Sequence, residues 1–210
     1  MKLPPTSNIL EERRLSPQNE IYSEAMLRGV TIWITGLSAS GKSTAARLLN
    51  DELSQRGLSC QLFDGDVLRA SLATPLGFSA GDRAVAVRHA GQLALHHASR
   101  PGISIVALIS PYRDERAKVR QAHKEAGLHF VEVFMDTPLA TCIERDPKGL
   151  YRRALSGEIS HFTGLDDPYE TPLRPEVTID SSRDATAAVA GLIAFLEETD
   201  VIASHPSSST

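Results

Sequence analysis

The segment VTIWITGLSASGKST, residues 30–44, limits what this chain can become more than any other. An apolar, β-branched run from Val30 to Thr35 leads into Gly36, Gly41, Lys42 and Ser43 at the spacing GxxxxGK(S/T). That spacing turns successive backbone N–H groups inward at the start of a helix, a concave anion site for the α- and β-phosphates of a nucleotide. Lys42 then reaches the β/γ oxygens, and the Ser43 hydroxyl is the protein's ligand to Mg²⁺. Such a pattern arises by chance in some chains, but here the flanks agree. Ala45, Leu48, Leu49 and Leu53 follow the loop at helical spacing. Strand, loop and helix in that order predict a nucleoside triphosphate site built from Gly36, Ser38, Ala39, Ser40, Gly41, Lys42, Ser43 and Thr44.

A phosphate loop on a strand needs a sheet around it, and the rest of the chain supplies one. Strand patterns recur at 58–63, 103–109, 129–135 and 176–180, and helical patterns at 43–56, 82–99, 113–127 and 184–198. This alternation predicts an α/β fold of phosphate-loop NTPase type, with three layers and a central, mainly parallel sheet. At 210 residues and 41% hydrophobic the chain suits one domain with a sizeable core. The main domain is expected over 29–203. Residues 1–28, polar and proline-bearing with a short helix near 18–27, read as an arm, and 204–210, SHPSSST, as a disordered tail.

Charge and cysteine usage narrow the partners. A net charge of -4 gives no basic field for nucleic acid or an anionic membrane, so any anion site is local. Cys60 and Cys142 form no CxxC pair, which fits reduced thiols and a cytoplasmic protein. The start, MKLPPTSNILEERRL, has prolines and charges where a signal peptide needs an apolar core.

In a parallel sheet the ligands gather at the carboxyl ends of the strands. FDGDVLR there offers Asp64, Asp66 and Arg69; ISPYR offers Ser110 and Arg113. Two such carboxylates are often only a turn and a helix cap. Beside a phosphate loop, one becomes a candidate to orient and deprotonate an acceptor hydroxyl. After the fourth strand Arg145, Lys148, Arg152 and Arg153 lie among glycines. A solvated helix face explains most charge runs of this kind. In a kinase the same run predicts a mobile lid, over about 146–170, whose cations meet the transferring phosphoryl group.

These segments together resemble the adenylylsulfate kinases. The resemblance rests on TGLSASGKST, DGD with Arg69, GFSAGDR, ISPYR, RDPKGLYRRALSGEI and FTGLDDPYE, in the family's order. It implies that 29–203 is a kinase domain that uses ATP and Mg²⁺ to phosphorylate the 3'-hydroxyl of adenosine 5'-phosphosulfate, in sulfate assimilation. It further implies Lys42 and Asp66 as catalytic residues, with Asp64 supporting the acceptor site. Phe78 and Phe162 would sandwich the acceptor's adenine; Arg69, Arg83 and Lys148 would hold its phosphosulfate; Ile109 and Ser110 would contact it after the third strand. Arg145 would serve the ATP side. Ser110 is also a catalytic candidate, through a phosphoserine described in the family, although its motif offers no adjacent base. The family commonly dimerises, so a homodimer is expected.

Three departures keep other readings open. Where the family usually has Asn three positions after Arg83 and Arg at the sixth, this chain has Ala86 and His89; where Gly normally precedes Phe162 it has His161. A kinase for another modified nucleotide, such as a nucleoside diphosphoramidate, is the alternative, and a non-catalytic nucleotide-binding module is a third.

Overall fold

The computed structural model describes residues 29–71, 76–100, 102–180 and 184–203. The expected arm, 1–28, and tail, 204–210, lie outside the described residues. Five strands form one sheet: β1 (Val30–Thr35), β2 (Cys60–Asp64), β3 (Ile103–Ala107), β4 (His129–Asp136) and β5 (Val177–Asp180). Their order is β2-β3-β1-β4-β5, and every pairing among them is parallel. The strand that carries the phosphate loop is therefore central, with Val30 opposite Ile103 on one side and His129 on the other. All six residues of β1 are buried, as expected of a parallel strand covered on both faces.

Alternation along the strands sorts the core into two layers. Ile32, Ile34, Ile105, Val131 and Val133 pack with Leu49 and Leu53 of α1 (Lys42–Gln55) and Leu192 and Leu196 of α7 (Ala185–Glu198). Trp33 and Val106 face the other way, onto Val87, Ala90 and Ala94 of α3 (Ala80–Ala98) and Val119 of α4 (Arg113–Glu125). Small residues on α3 let it lie close: a Cβ on Gly91 would come within 2.8 Å of a Val119 methyl.

Three helices fall outside the sequence expectation: α2 (Gly65–Ser71), α5 (Leu139–Arg145) and α6 (Leu150–Leu155). Each spans about two turns or fewer, too short for a 3.6-residue hydrophobic period to register. The strand expected from 58 begins at Cys60 because Leu58 N instead donates to Leu53 O, closing α1 behind Gly57 at φ 79°. The strand expected to run to 109 ends at Ala107, and the chain then turns sharply through Ser110 at φ 41°.

Candidate active site

One cleft of about 1340 Å³ opens along the carboxyl ends of the strands. It is lined by the phosphate loop from Ser38 to Thr44, by Asp64 and Asp66, and by Arg69, Phe78 and Arg83. Ile109, Ser110, Arg145, Lys148 and Phe162 line it as well. Of the residues expected at the site, Arg113, Arg152 and Arg153 stay off its wall, and so does Gly36. It shapes the loop from behind: at φ 152°, a Cβ there would sit 2.8 Å from Ser40 Oγ and 3.0 Å from the Met135 carbonyl oxygen.

The loop bends through left-handed residues, Ala39 at φ 59° and Gly41 at φ 96°, before α1 starts at Lys42. Its N–H groups and the positive end of α1 thus share one hollow. Lys42 is 9% exposed and donates to Leu37 O at 2.5 Å and Ser40 Oγ at 3.4 Å. Burial pulls its pKa down to about 8, with the Lys148 charge adding to the effect and Asp64 and Asp66 opposing it. Ser43 follows on the same turn and faces the cleft. Hard oxygen donors beside a phosphate hollow suit Mg²⁺, which usually keeps several waters and takes few protein ligands.

Asp64 ends β2, and its Oδ1 accepts the Asp66 N–H at 3.0 Å, so one carboxylate caps the helix whose first turn carries the other. The cap expected of DGD is thus present, and Asp66 remains on the cleft wall. Its Oδ2 receives Lys148 Nζ from the lid segment, an ion pair between largely exposed side chains.

The residues expected to hold the acceptor gather around Phe78. Arg69 and Arg83 each place a guanidinium carbon 5.7 Å from its ring centroid. Arg69 is fixed by donating to the carbonyls of Leu76 and Gly77 at 3.2 and 2.9 Å. Arg83 is 3% exposed, and its Nε and Nη2 have no hydrogen-bond partner among the described residues. Burial first, then the Arg69 charge, lowers its pKa to about 10, leaving a cation at neutral pH that lacks a full set of acceptors. Ala86, one turn further along α3, lines the same wall. His89 is half-buried and lies off it.

Phe162 meets Phe78 with ring centroids 5.9 Å apart and planes at 51°. A base stacked between two rings needs about 7 Å, two contacts of ~3.5 Å, so the pair stands in direct contact rather than as an open slot. Phe162 belongs to a small core with Tyr151, Cys142 and Ile159, against Leu37 and Ala39 of the phosphate loop. The Tyr151 hydroxyl donates to Ser38 O at 3.1 Å, so the lid segment stands directly on the loop. His161 takes φ 59°, a left-handed conformation that glycine adopts at no steric cost. Asp166 holds the turn, accepting the N–H groups of His161 and Phe162 at 2.7 and 2.6 Å.

Ser110 is 1% exposed and its hydroxyl is engaged. It accepts Trp33 Nε1–H at 3.0 Å and donates to Thr35 Oγ1 at 2.9 Å; Thr35 in turn donates to Ile109 O at 2.7 Å. None of these partners is a base. Trp33 shapes the site without any motif announcing it, because an apolar residue inside a strand reads as core; Thr35, Tyr151 and Tyr169 stand in the segments that carry the family resemblance, but no spacing gave them a role.

The sequence model of the family described as adenylylsulphate kinase matches residues 28–180. The chain belongs to the adenylylsulphate kinase family. It is accordingly a kinase, and its reaction belongs to sulfate activation. An adenylyl-sulfate kinase of Citrobacter koseri is 46% identical over 177 residues, covering 84% of this chain and 87% of that protein. The Saccharomyces cerevisiae adenylyl-sulfate kinase is 44% identical over 178 residues, 84% of this chain and 88% of its own length. Among solved structures, the Mycobacterium tuberculosis APS kinase CysC in complex with AMPPNP and APS superposes with a TM-score of 0.78 at 45% identity, covering 81% of this chain and 98% of that one.

Proposed function

We propose that this adenylylsulphate kinase transfers the γ-phosphoryl group of ATP to the 3'-hydroxyl of adenosine 5'-phosphosulfate across the cleft just described. One observation carries the reading: a phosphate loop, a pair of buried or half-buried arginines and the Asp66 carboxylate all line one cleft. A cleft of about 1340 Å³ with two cationic groups on its wall suits two anionic nucleotides at once.

In this reading the loop N–H groups and Lys42 hold the β- and γ-phosphates of ATP, and Arg145 lies at the ATP end. Mg²⁺ would be held by Ser43 and would supply charge neutralisation to the transferring phosphoryl group. Arg69 and Arg83 take the phosphosulfate; the unpartnered Nε and Nη2 of Arg83 are suited to bidentate contact with its oxygens. Phe78 swings by about 1 Å to admit the adenine against Phe162. Asp66 accepts the 3'-hydroxyl proton, and Lys148, released from Asp66, turns to the phosphoryl groups as the lid closes. Ser110 acts as a support for the acceptor loop, since its hydroxyl already serves Trp33 and Thr35. The transfer is then direct and in line, with no phosphoserine. A homodimer follows from the resemblance; light scattering would read twice the 22.7 kDa chain.

The test is a panel: wild-type protein, ATP and Mg²⁺ with sulfated, amidated and plain nucleotides. Adenosine 5'-phosphosulfate should give the highest kcat/KM. Ala86 is the observation that favours a rival acceptor, because it brings no hydrogen-bonding group to the wall it shares with Arg83. A lost amide contact to a charged acceptor is worth about 1.5 to 3 kcal/mol. Ala86→Asn should therefore lower KM for adenosine 5'-phosphosulfate by about tenfold with kcat little changed. A different best acceptor, whose turnover Ala86→Asn impairs, would replace this reading with the amidated-nucleotide one.

A further inference from the structure

Arg116, on α4, lies off the cleft wall and belongs to no part of the reaction described above. It is 3% exposed. Its guanidinium reaches three separate segments, each at 2.7 Å: Nε donates to Glu132 Oε1 on β4, Nη1 to Ser110 O, and Nη2 to Glu170 O. Glu132 also accepts Arg120 Nη2 at 3.2 Å, and Arg120 pairs with Glu176 at 2.6 Å, so the two cations are matched by two carboxylates. The Arg116 Cζ also lies 5.9 Å from the ring of Tyr169, which stacks on Phe134 of β4. The Tyr169 hydroxyl meets Thr35 Oγ1 at 2.9 Å, at the last residue before the phosphate loop.

A buried ion pair of this kind is a poor way to gain stability, because desolvation offsets most of its attraction and well-packed apolar residues commonly do as well. What apolar residues lack is direction. A planar guanidinium with three fixed donors sets the distance between the groups it joins. Here those groups are the acceptor loop, at its left-handed residue Ser110 (φ 41°), and the root of the lid segment at Tyr169 and Glu170.

We propose that Arg116 is a positioning residue for the acceptor nucleotide. It locks the Ile109–Ser110 backbone to the lid root and to β4, so the acceptor loop and the base of the lid behave as one unit. Two further bonds run the same way: Glu170 N donates to Pro111 O at 2.9 Å, and Arg113 N donates to Glu170 Oε2 at 2.8 Å. Arg116 thereby sets affinity for the acceptor and leaves the phosphate loop's own geometry to Gly36, Gly41 and Lys42. The inference rests on the acceptor reading of the cleft given above.

Arg116→Lys keeps a cation opposite Glu132 but cannot reach all three partners. Expected is a KM for adenosine 5'-phosphosulfate raised about tenfold, with KM for ATP within about twofold of wild type. A merely structural role would raise both KM values together, or only lower Tm; either result in a folded variant overturns the proposal. Should Arg116→Lys fail to fold, Tyr169→Phe removes only the hydroxyl contact with Thr35 and serves as the reference for Tyr169→Leu, which removes the ring beneath Arg116 as well and leaves the Glu132 pairing in place. Against that reference Tyr169→Leu should show the same split, at about threefold; unchanged KM values, or equal rises, overturn the proposal. A wild-type protein inactive on adenosine 5'-phosphosulfate would instead sink the acceptor reading, so the two failures are distinguishable.

Discussion

Burying the Lys42 ammonium lowers its pKa to about 8, so the residue that must be cationic to meet the γ-phosphate loses its proton within reach of ordinary assays. The sign is definite: the charged form prevails below pH 8 and fades above it. We expect kcat/KM for ATP to fall with one deprotonation near pH 8, while kcat, set after anionic phosphates have raised that pKa, holds to higher pH. Parallel decline of both would detach Lys42 from the loss. Lys42→Ala should cost at least about 100-fold in turnover, the usual size for one preorganised charge. For Asp66 the expectation is opposite in kind. Asp66→Asn should collapse kcat and leave KM for ATP near wild type, since proton acceptance matters only at the transition state. A variant altered only in KM for ATP would make Asp66 a binding residue. Both side chains were legible in the sequence, one by motif spacing and one by its place after a strand. Arg116 was not, because an arginine inside a helical pattern carries no spacing that marks its distant partners.

The long elements followed their hydrophobic periods; the short ones follow local chemistry that a period does not reveal. The lid segment shows why. Gly149 sits at φ 64° at the N-cap of α6, and the Asp146 carboxylate accepts the N–H groups of Tyr151 and Arg152 at 3.1 and 3.0 Å. Desolvation works to raise the Asp146 pKa, but these backbone bonds together outweigh it and hold the carboxyl below its ordinary value. Helix α6 thus exists because a glycine turns the chain and an aspartate caps it, which places Tyr151 on Ser38 O and Phe162 against Phe78. Gly149→Ala imposes a left-handed conformation on an L side chain, at about 1 to 2 kcal/mol, and sets its Cβ within 2.8 Å of Arg152 Nη2. We expect it to raise KM for both nucleotides by about threefold or more, through the phosphate loop beneath and Phe162 beside it. Unchanged values for both would mean that the lid's register does not matter to the cleft.

Across the whole molecule the two faces of the sheet are sealed differently. One is lined along its centre by Ile32, Ile34, Ile105 and Val133. The other carries a polar contact, with Thr31 of β1 meeting the fully buried His123 of α4: Thr31 Oγ1 lies 2.9 Å from Nε2, and Nδ1 lies 2.8 Å from Val119 O. If Nδ1–H donates to the carbonyl, Nε2 accepts from the threonine, and the ring is neutral. Burial lowers the pKa of His123 below 6.5. A histidine depressed in the fold takes up its proton more readily when unfolded, so its contribution is complete above about pH 6.5 and lost as pH falls towards the folded pKa. Tm should drop between pH 7 and 5, and His123→Gln should flatten that slope. An unchanged slope in the variant would place the acid sensitivity elsewhere.

The phosphate loop, the alternation of strands and helices and the order of the family's segments are all local patterns, and local patterns survive in one dimension because backbone geometry sets their spacing. They determined the fold class and the kinase family, and they named the loop proposed to hold ATP. Sheet order, by contrast, is a matter of which strands pair across long loops. Only the folded chain put β3 and β4 beside β1, and with them the acceptor loop, the lid root and Arg116 within one guanidinium's reach. Contacts at sequence separations of 54 and 134 residues, Arg116 with Glu170 and Thr35 with Tyr169, have no spacing rule to betray them. The same holds for the orphaned nitrogens of Arg83 and the closed contact of Phe78 on Phe162: the motifs named these side chains, but burial and ring geometry are properties of packing, decided only once three separate segments had met.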